Sequence, residues 1–274
     1  MSTAVGIIGC GNLGRALAEG VARESTQFSL FLFDTSEEKR TAVAESSGGE
    51  ACANLEALVT RSEVVVLAIK PKDVAVLTGA LSAIDGFKGQ LYISVVAGVT
   101  AEAFSVAFGR QVRLVRTMPN LASTIGLGIT GVWGEHKEDV QLTEKLFAPL
   151  GKTVAVAEEA LLDAVVGASA SSPAFVFLFI AGLIDAAKSK GLSDVQAREL
   201  AIQAVEGAAA LAGSSAVELD ELIERVASPN GTTEAGLKVL EVRKFREVVK
   251  EAAVASIERS AEIGVETLSQ MKKN

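Results

Sequence analysis

The stretch Ala4-Val5-Gly6-Ile7-Ile8-Gly9-Cys10-Gly11-Asn12-Leu13-Gly14 decides the fold of this chain. Its first half is a continuous apolar run, and its second half is Gly-x-Gly-x-x-Gly. The residues that follow, Leu13–Arg23, read as a helix. A strand passing through that glycine pattern into a helix is the signature of a dinucleotide-binding turn. The first glycine permits the tight turn, the second lets backbone approach a pyrophosphate, and the third lets helix pack on strand. The pyrophosphate would rest on the helix N-terminus, whose free N–H groups and dipole favour an anion. Alone the pattern is common in ordinary turns; the strand before it and the helix after it give it meaning. Gly9, Gly11, Asn12, Leu13 and Gly14 are the candidate residues.

Outward from that turn, apolar runs alternate with helical stretches. The strand expectations are Val5–Gly9, Leu30–Phe33, Val64–Ile69, Leu91–Val96 and Val112–Thr117, followed by Gly128–Trp133 and Thr153–Ala157. They are continuous in Val, Ile and Leu, as in strands buried on both faces of a parallel sheet. Helices are expected at Glu37–Glu45, Val74–Leu81 and Val140–Leu150. Repeated βαβ units predict a doubly wound α/β domain of the Rossmann type over residues 1–158.

Residues 159–274 carry no strand signal and predict an all-α domain. Pro173 suits the first turn of a helix at Ala174–Ala187, and Gly191 the position just past its end. Ser193–Gln196 and Ser215–Glu218 both read as capping boxes, with Gly213 closing the helix between them. A last helical stretch is expected from about Glu234 to Leu268. Ala174–Ile184 has almost no polar side, and Ala201–Ala212 is nearly all small residues. Such faces would form a large exposed apolar patch, so this half is expected to pair with a second copy of the chain. The plainer reading is a self-contained bundle.

The bulk numbers narrow the function. The chain has 274 residues and a net charge of −8, which disfavours a nucleic-acid partner. The two cysteines, Cys10 and Cys52, form no CxxC pair and no disulfide framework. No basic segment precedes the first strand, and the longest apolar run, Pro173–Ile184, is shorter than the ~20 residues of a membrane span. A cytoplasmic protein without a membrane partner is expected.

Asp34 ends the second strand, 20 residues after Gly14. A carboxylate there usually binds the ribose 2′-hydroxyl and disfavours a 2′-phosphate. Thr35, Ser36, Lys39 and Arg40 argue the other way, since they can hold that phosphate, although Lys39 and Arg40 equally suit a solvated helix face. The cofactor is thus NADH or NADPH. Ala68, Lys70 and Pro71 follow the fourth strand, at the edge where ligands bind in open α/β sheets. Lys70 faces the nicotinamide half on that reading, or is a surface lysine before a helix. Ala97 and Gly98 end the next strand, where backbone can approach a nicotinamide ring.

The chemistry is constrained by what is missing. The one histidine, His136, sits in the charged segment Gly134–Asp139, a poor place for a catalytic acid. One histidine and two distant cysteines make no zinc site, so no metal is expected. Hydride transfer to an imine suits such a chain: the nitrogen is basic and can enter protonated, leaving the protein to position and desolvate. Two polar segments interrupt the helical half. Ser169–Pro173 includes Ser171. Ser228-Pro229-Asn230-Gly231-Thr232-Thr233 pairs a helix N-terminus with two threonine hydroxyls, a good carboxylate cradle. Each also reads simply as a capped loop.

Taken together, Gly9–Gly14, Ala68–Pro71, Ala97–Thr100, Arg116–Asn120, Asp163–Gly167, Ser169–Phe175 and Ser228–Thr233 resemble, in order and spacing, the pyrroline-5-carboxylate reductases. The resemblance spans nearly the whole chain. It implies reduction of 1-pyrroline-5-carboxylate to L-proline with NAD(P)H, the last step of proline biosynthesis. It implies a substrate carboxylate held at Ser228, Gly231, Thr232 and Thr233, with Ser171 as a further contact. Thr233 matches the hydroxyl near the ring nitrogen, and Ser228 another substrate contact. Asn54 matches a contact to the adenosine ribose or its phosphate, and Asn120 falls in a segment approaching the nicotinamide. The helical half matches the family's dimerisation domain, and rings of dimers occur in the family.

The departures are specific. Leu121-Ala122-Ser123 replaces the family's Thr-Pro-Ala, Ala170 and Phe175 stand for glycine and tyrosine, and Asn230 replaces the first glycine of the turn. Asparagine tolerates the left-handed conformation. Lys244 stands where glycine is common, which predicts a more continuous last helix. Three other readings stay open: a reductase of a related, six-membered cyclic imine acid, a hydroxyacid dehydrogenase of similar plan, and a non-catalytic dinucleotide-binding redox sensor. No lysine–asparagine pair stands out to support the dehydrogenase.

Overall fold

The computed structural model describes residues 2–24, 26–84 and 89–273. They form two compact units: residues up to Ser171 together with the chain from Ala255 onward, and Ser172–Val254.

The first unit begins with β1 (Thr3–Ile8), α1 (Asn12–Glu24), β2 (Phe28–Phe33), α2 (Glu37–Ser47), β3 (Glu50–Ala51) and α3 (Leu55–Val59). It continues with β4 (Val64–Leu67), α4 (Val74–Ser82), β5 (Leu91–Ser94), α5 (Ala101–Phe108) and β6 (Leu114–Pro119). Then come β7 (Gly128–Gly134), α6 (Lys137–Phe147), β8 (Gly151–Ala155) and α7 (Leu161–Val165). The strands form one sheet in the order β3-β2-β1-β4-β5-β6-β7-β8. The chain therefore reverses its direction of travel between β1 and β4, the place where such sheets open a ligand crevice.

Successive strand residues bury opposite faces. Val5, Ile7, Val64, Val66, Leu91 and Ile93 pack with Leu17 and Val21 of α1 and Leu146 and Phe147 of α6. Ile8, Val65, Leu67 and Tyr92 pack on the other side with Leu58, Leu77, Leu81 and Phe104. The absence of polar alternation in the strands follows from this double burial. The sheet departs from the fully parallel expectation at one junction: β7 runs antiparallel to β6, while β8 is again parallel to β7. The physical reason is the connection 120–127, too short for the crossover of a dozen or more residues that parallel strands need. A short 3-10 turn at Leu121–Ile125 fills it instead.

The second unit holds α8 (Ser172–Ser189), α9 (Asp194–Ser214), α10 (Leu219–Val226), α11 (Thr232–Val242) and the start of α12 (Phe245–Met271), as far as Val254. Pro173 lies in the first turn of α8, and Gly191 takes φ 99° just past its end. The capping box at Ser193 is present: its hydroxyl accepts from the Gln196 N–H and the Gln196 side chain accepts from the Ser193 N–H.

Three expectations are corrected. Gly213 does not end α9, which runs one residue further. Ser215 closes that helix, its hydroxyl accepting from the Val217 N–H, and α10 starts only at Leu219 with Glu218 before it. The last helix is not continuous. Lys244 takes φ 52° and breaks it into α11 and α12, so lysine does here what glycine does more cheaply. The apolar stretch is also longer than the sequence run suggested: Leu161–Ser189 is a 29-residue helical segment with few buried residues, long and apolar enough by length and composition to cross a membrane.

The compact units divide at Ser171, beyond the expected boundary at 158/159. The reason is that α7 packs on β6 and β7, where Val165 lies over Gly131. A π-helical turn, Val166–Ala170, follows it. The chain from Ala255 returns to the first unit, where the Ser260 hydroxyl donates to Asp163 at 2.6 Å and Leu268 and Met271 pack on the core around Phe104.

Candidate active site

The glycine turn sits where β1 meets β2 and β4. Gly9 donates its N–H to Phe33 O, and Ala68 donates to Ile8 O, both at 2.8 Å. Gly9 takes φ 105°, and a Cβ there would stand 2.3 Å from the Ala68 carbonyl. Gly14 is fixed by packing, since its Cβ would fall 1.9 Å from the Gly9 carbonyl oxygen. Gly11 differs from both. A Cβ on it would meet nothing within 4 Å, so nothing in the described residues requires glycine there. That open space over a bare backbone has room for a docking pyrophosphate. Asn12 and Leu13 open α1 directly beyond it, and a helix start leaves its first N–H groups without intrahelical acceptors.

Asp34 is tied into this turn. One carboxylate oxygen accepts from the Cys10 N–H and the other from the Ser36 N–H, each at 2.8 Å. Ser36 caps α2 through the Lys39 N–H. The Arg40 guanidinium turns back to the Asp34 carbonyl oxygen and lies over the Phe33 ring. Thr35 and Lys39 are exposed. Burial, and then the Asp34 charge, push the Cys10 thiol from its ordinary 9.0 up to about 11, against the opposing pull of Arg40 and Arg15. A thiol so raised is inert at neutral pH, which suits a small filler in a glycine loop.

The remaining cofactor candidates lie along the carboxyl edge of the sheet. Asn54 caps α3 by accepting the Ala57 N–H at 2.8 Å, which leaves its amide NH2 to donate elsewhere. Lys70 is exposed and extended, with Pro71 opening a 3-10 turn after it. Asn120 follows β6, and its side-chain oxygen accepts the Ile129 N–H from β7. Ala97 is exposed, but Gly98 is buried, with φ 69°, and its Cβ would stand 2.3 Å from Ile263 of α12. The glycine at 98 is therefore explained by the close passage of a helix, a contact the sequence reading missed. No local pattern links positions 98 and 263. Beside it, Arg116 is buried and pairs with Glu159 at 2.8 Å, and Glu159 also accepts the Ala101 N–H. Leu121 stands exposed just past Asn120.

Ser171 closes the π-helical turn, donating its N–H to Val166 O, and the nearby Ser169 hydroxyl is buried without a partner. Turns of this kind recur at functional sites.

The second unit gathers Ser228, Gly231, Thr232 and Thr233 at the start of α11. Asn230 takes φ 58°, so the expected left-handed asparagine is present. Gly231 donates to Ser228 O, and a Cβ on it would fall 2.4 Å from the Ser228 hydroxyl. Glu234 was not foreseen: its carboxylate accepts the Asn230 N–H and so holds the turn. The legible signal was a glutamate at the third helical position, from which such side chains reach back to helix-start amides. His136 is exposed at the start of α6, and no group of metal-binding side chains occurs among the described residues.

Two family models match. Residues 159–263 match the pyrroline-5-carboxylate reductase dimerisation domain, and residues 4–98 match the coenzyme F420-dependent NADP oxidoreductase domain. A pyrroline-5-carboxylate reductase of Aquifex aeolicus is 34% identical over 90% of this chain and 92% of its own length. The chain belongs to the pyrroline-5-carboxylate reductase family. The family reductase of Coxiella burnetii has a solved structure with TM-score 0.88 and 29% identity, covering 96% of this chain and 99% of its own. That of Plasmodium falciparum, solved with NADP bound, gives TM-score 0.82 and 26% identity over 96% and 98%. The likeness runs through both the sheet and the helical half, as the sequence resemblance had it.

Proposed function

We propose that this chain reduces 1-pyrroline-5-carboxylate to L-proline with NADPH or NADH, the closing step of proline biosynthesis. One observation carries the reading: in a chain of this family, the glycine turn keeps open space over Gly11 while its other two glycines are sterically required. The nicotinamide nucleotide, when bound, supplies the hydride. Gly9, Gly11, Asn12, Leu13 and Gly14 receive the pyrophosphate, and Asp34, Thr35, Ser36 and Asn54 the adenosine ribose. Ala68, Lys70, Pro71, Ala97, Gly98 and Asn120 border the rest of the nucleotide.

Substrate carboxylate binding falls to Ser228, Gly231, Thr232 and Thr233. The start of α11 offers free N–H groups there, and the Thr233 hydroxyl holds the ring nitrogen. Ser171 is the further substrate contact. No metal takes part in this scheme. The polar residues orient a protonated imine, so the chain needs no histidine acid.

The working form is a homodimer joined through the helices of the second unit. The dimerisation-domain match supports it, as do Phe177 and Leu178, 58% and 75% exposed on α8. Dimers of this kind can associate further into a ring. A second chain, rather than lipid, covers the apolar helix, and the enzyme works in the cytoplasm without a nucleic-acid partner.

The test follows NADH and NADPH oxidation with five- and six-membered cyclic imine acids. Turnover with pyrroline-5-carboxylate is expected. Faster turnover of the six-membered ring would favour the second reading, which the exposed Leu121 motivates. Cofactor binding with no turnover of either would leave a redox sensor.

A further inference from the structure

We propose that Asp34 is a built-in anion that occupies the place of a ribose 2′-phosphate, making this chain selective for NADH. The inference rests on the dinucleotide reading above and deepens it. A 2′-phosphate is usually held beyond the second strand, by N–H groups and hydroxyls at the following helix start and by a nearby arginine. Here the Ser36 N–H and one face of Arg40 are engaged with the chain itself, while Thr35 and Lys39 stay exposed. The Ser36 N–H, at the cap of α2, already donates to Asp34 at 2.8 Å. The Ser36 hydroxyl accepts the Lys39 N–H. Arg40, the arginine in reach, is turned onto the Asp34 carbonyl oxygen and the Phe33 ring. The next two helix residues, Glu37 and Glu38, add negative charge at the same end.

The second carboxylate oxygen holds the Cys10 N–H, inside the glycine turn, at 2.8 Å. Asp34 is thus a clasp between the pyrophosphate turn and the end of β2, and it cannot swing aside to admit a phosphate without releasing both N–H groups. Each oxygen keeps a lone pair, enough to accept a ribose hydroxyl. A phosphate at the same point would set about two negative charges against the carboxylate.

The experiment titrates the full chain with NADH and with NADPH separately, without substrate, by calorimetry. NADH is expected to bind at least tenfold more tightly. Asp34→Ser and Asp34→Asn should shrink that ratio at least tenfold, and both should lower the melting temperature of the ligand-free protein because the clasp is gone. Equal or tighter NADPH binding by the unaltered chain overturns the proposal, as does a ratio unmoved by either substitution. If both variants fail to fold, the ratio for the unaltered chain decides alone. Because no substrate is present, a chain inert toward pyrroline-5-carboxylate leaves this result intact. A chain that binds neither nucleotide overturns both readings.

Discussion

Gly11→Ala separates what the protein needs from what its ligand needs. The added methyl meets no protein atom within 4 Å, and Gly11 is not among the glycines with positive φ. Folding stability should therefore change by no more than about 0.5 kcal/mol, and replacing glycine with alanine can even stabilise slightly through the unfolded chain. Melting temperature should move by roughly 2 °C or less in a protein of this size. Nucleotide affinity should fall sharply. The methyl stands where the pyrophosphate must touch backbone, and one or two charge-assisted hydrogen bonds lengthen or break, each worth ~1.5–3 kcal/mol. A loss of about 2–3 kcal/mol corresponds to a roughly 30- to 150-fold rise in Kd. Gly14→Ala is the opposite case. Its methyl would fall 1.9 Å from the Gly9 carbonyl oxygen, so the unliganded protein itself should lose about 2 kcal/mol or more. Differential scanning fluorimetry and nucleotide titration on the two variants measure both quantities. A Gly11→Ala protein that binds NADH like its parent, or that melts as early as Gly14→Ala, would refute the reasoning.

Other outcomes follow from the same geometry. Thr233→Ala should lower kcat/KM by about 1–3 kcal/mol, read by steady-state kinetics, with nucleotide affinity unchanged. Lys244→Gly should raise stability by about 0.5–1 kcal/mol in urea denaturation, because φ 52° strains lysine and not glycine. Cys10 should resist iodoacetamide at pH 8. Its folded pKa lies above the unfolded value, so its contribution to stability is full below pH 9.0 and fades as pH rises towards about 11, visible in melting temperature against pH. Leu178→Glu places a charge on an exposed apolar face of α8 and should shift sedimentation from dimer to monomer without unfolding the helix.

The elements that sequence revealed are those whose causes lie within a few residues. The apolar run of β1 and its glycines made the nucleotide turn readable, and the Ser193 capping box was read correctly because its two partners sit three residues apart. The elements it hid depend on distant partners. β3 is two exposed residues, Glu50 and Ala51, that become a strand only by pairing with Phe31 and Leu32. The Ser215 pattern has the right residues for a cap, but α9 continues past Gly213 and claims Ser215 as its own end. The passage of Ile263 over Gly98 was hidden, since the two lie far apart in sequence. The double role of Asp34 was likewise invisible, since the Cys10 amide lies 24 positions away.

The return of the chain to the first unit sets an order of events during synthesis. Ile263 covers Gly98, Ser260 binds Asp163, and Lys272 pairs with Glu102. A nascent chain ending between residues 156 and 254 has made every strand of the nucleotide-binding unit yet lacks the helix that covers this part of it. That unit, first to leave the ribosome, is among the last to be finished. A premature stop a few turns from the end should therefore cost the amino-terminal half its stability, a vulnerability that a linear map of the two domains would assign to the wrong one.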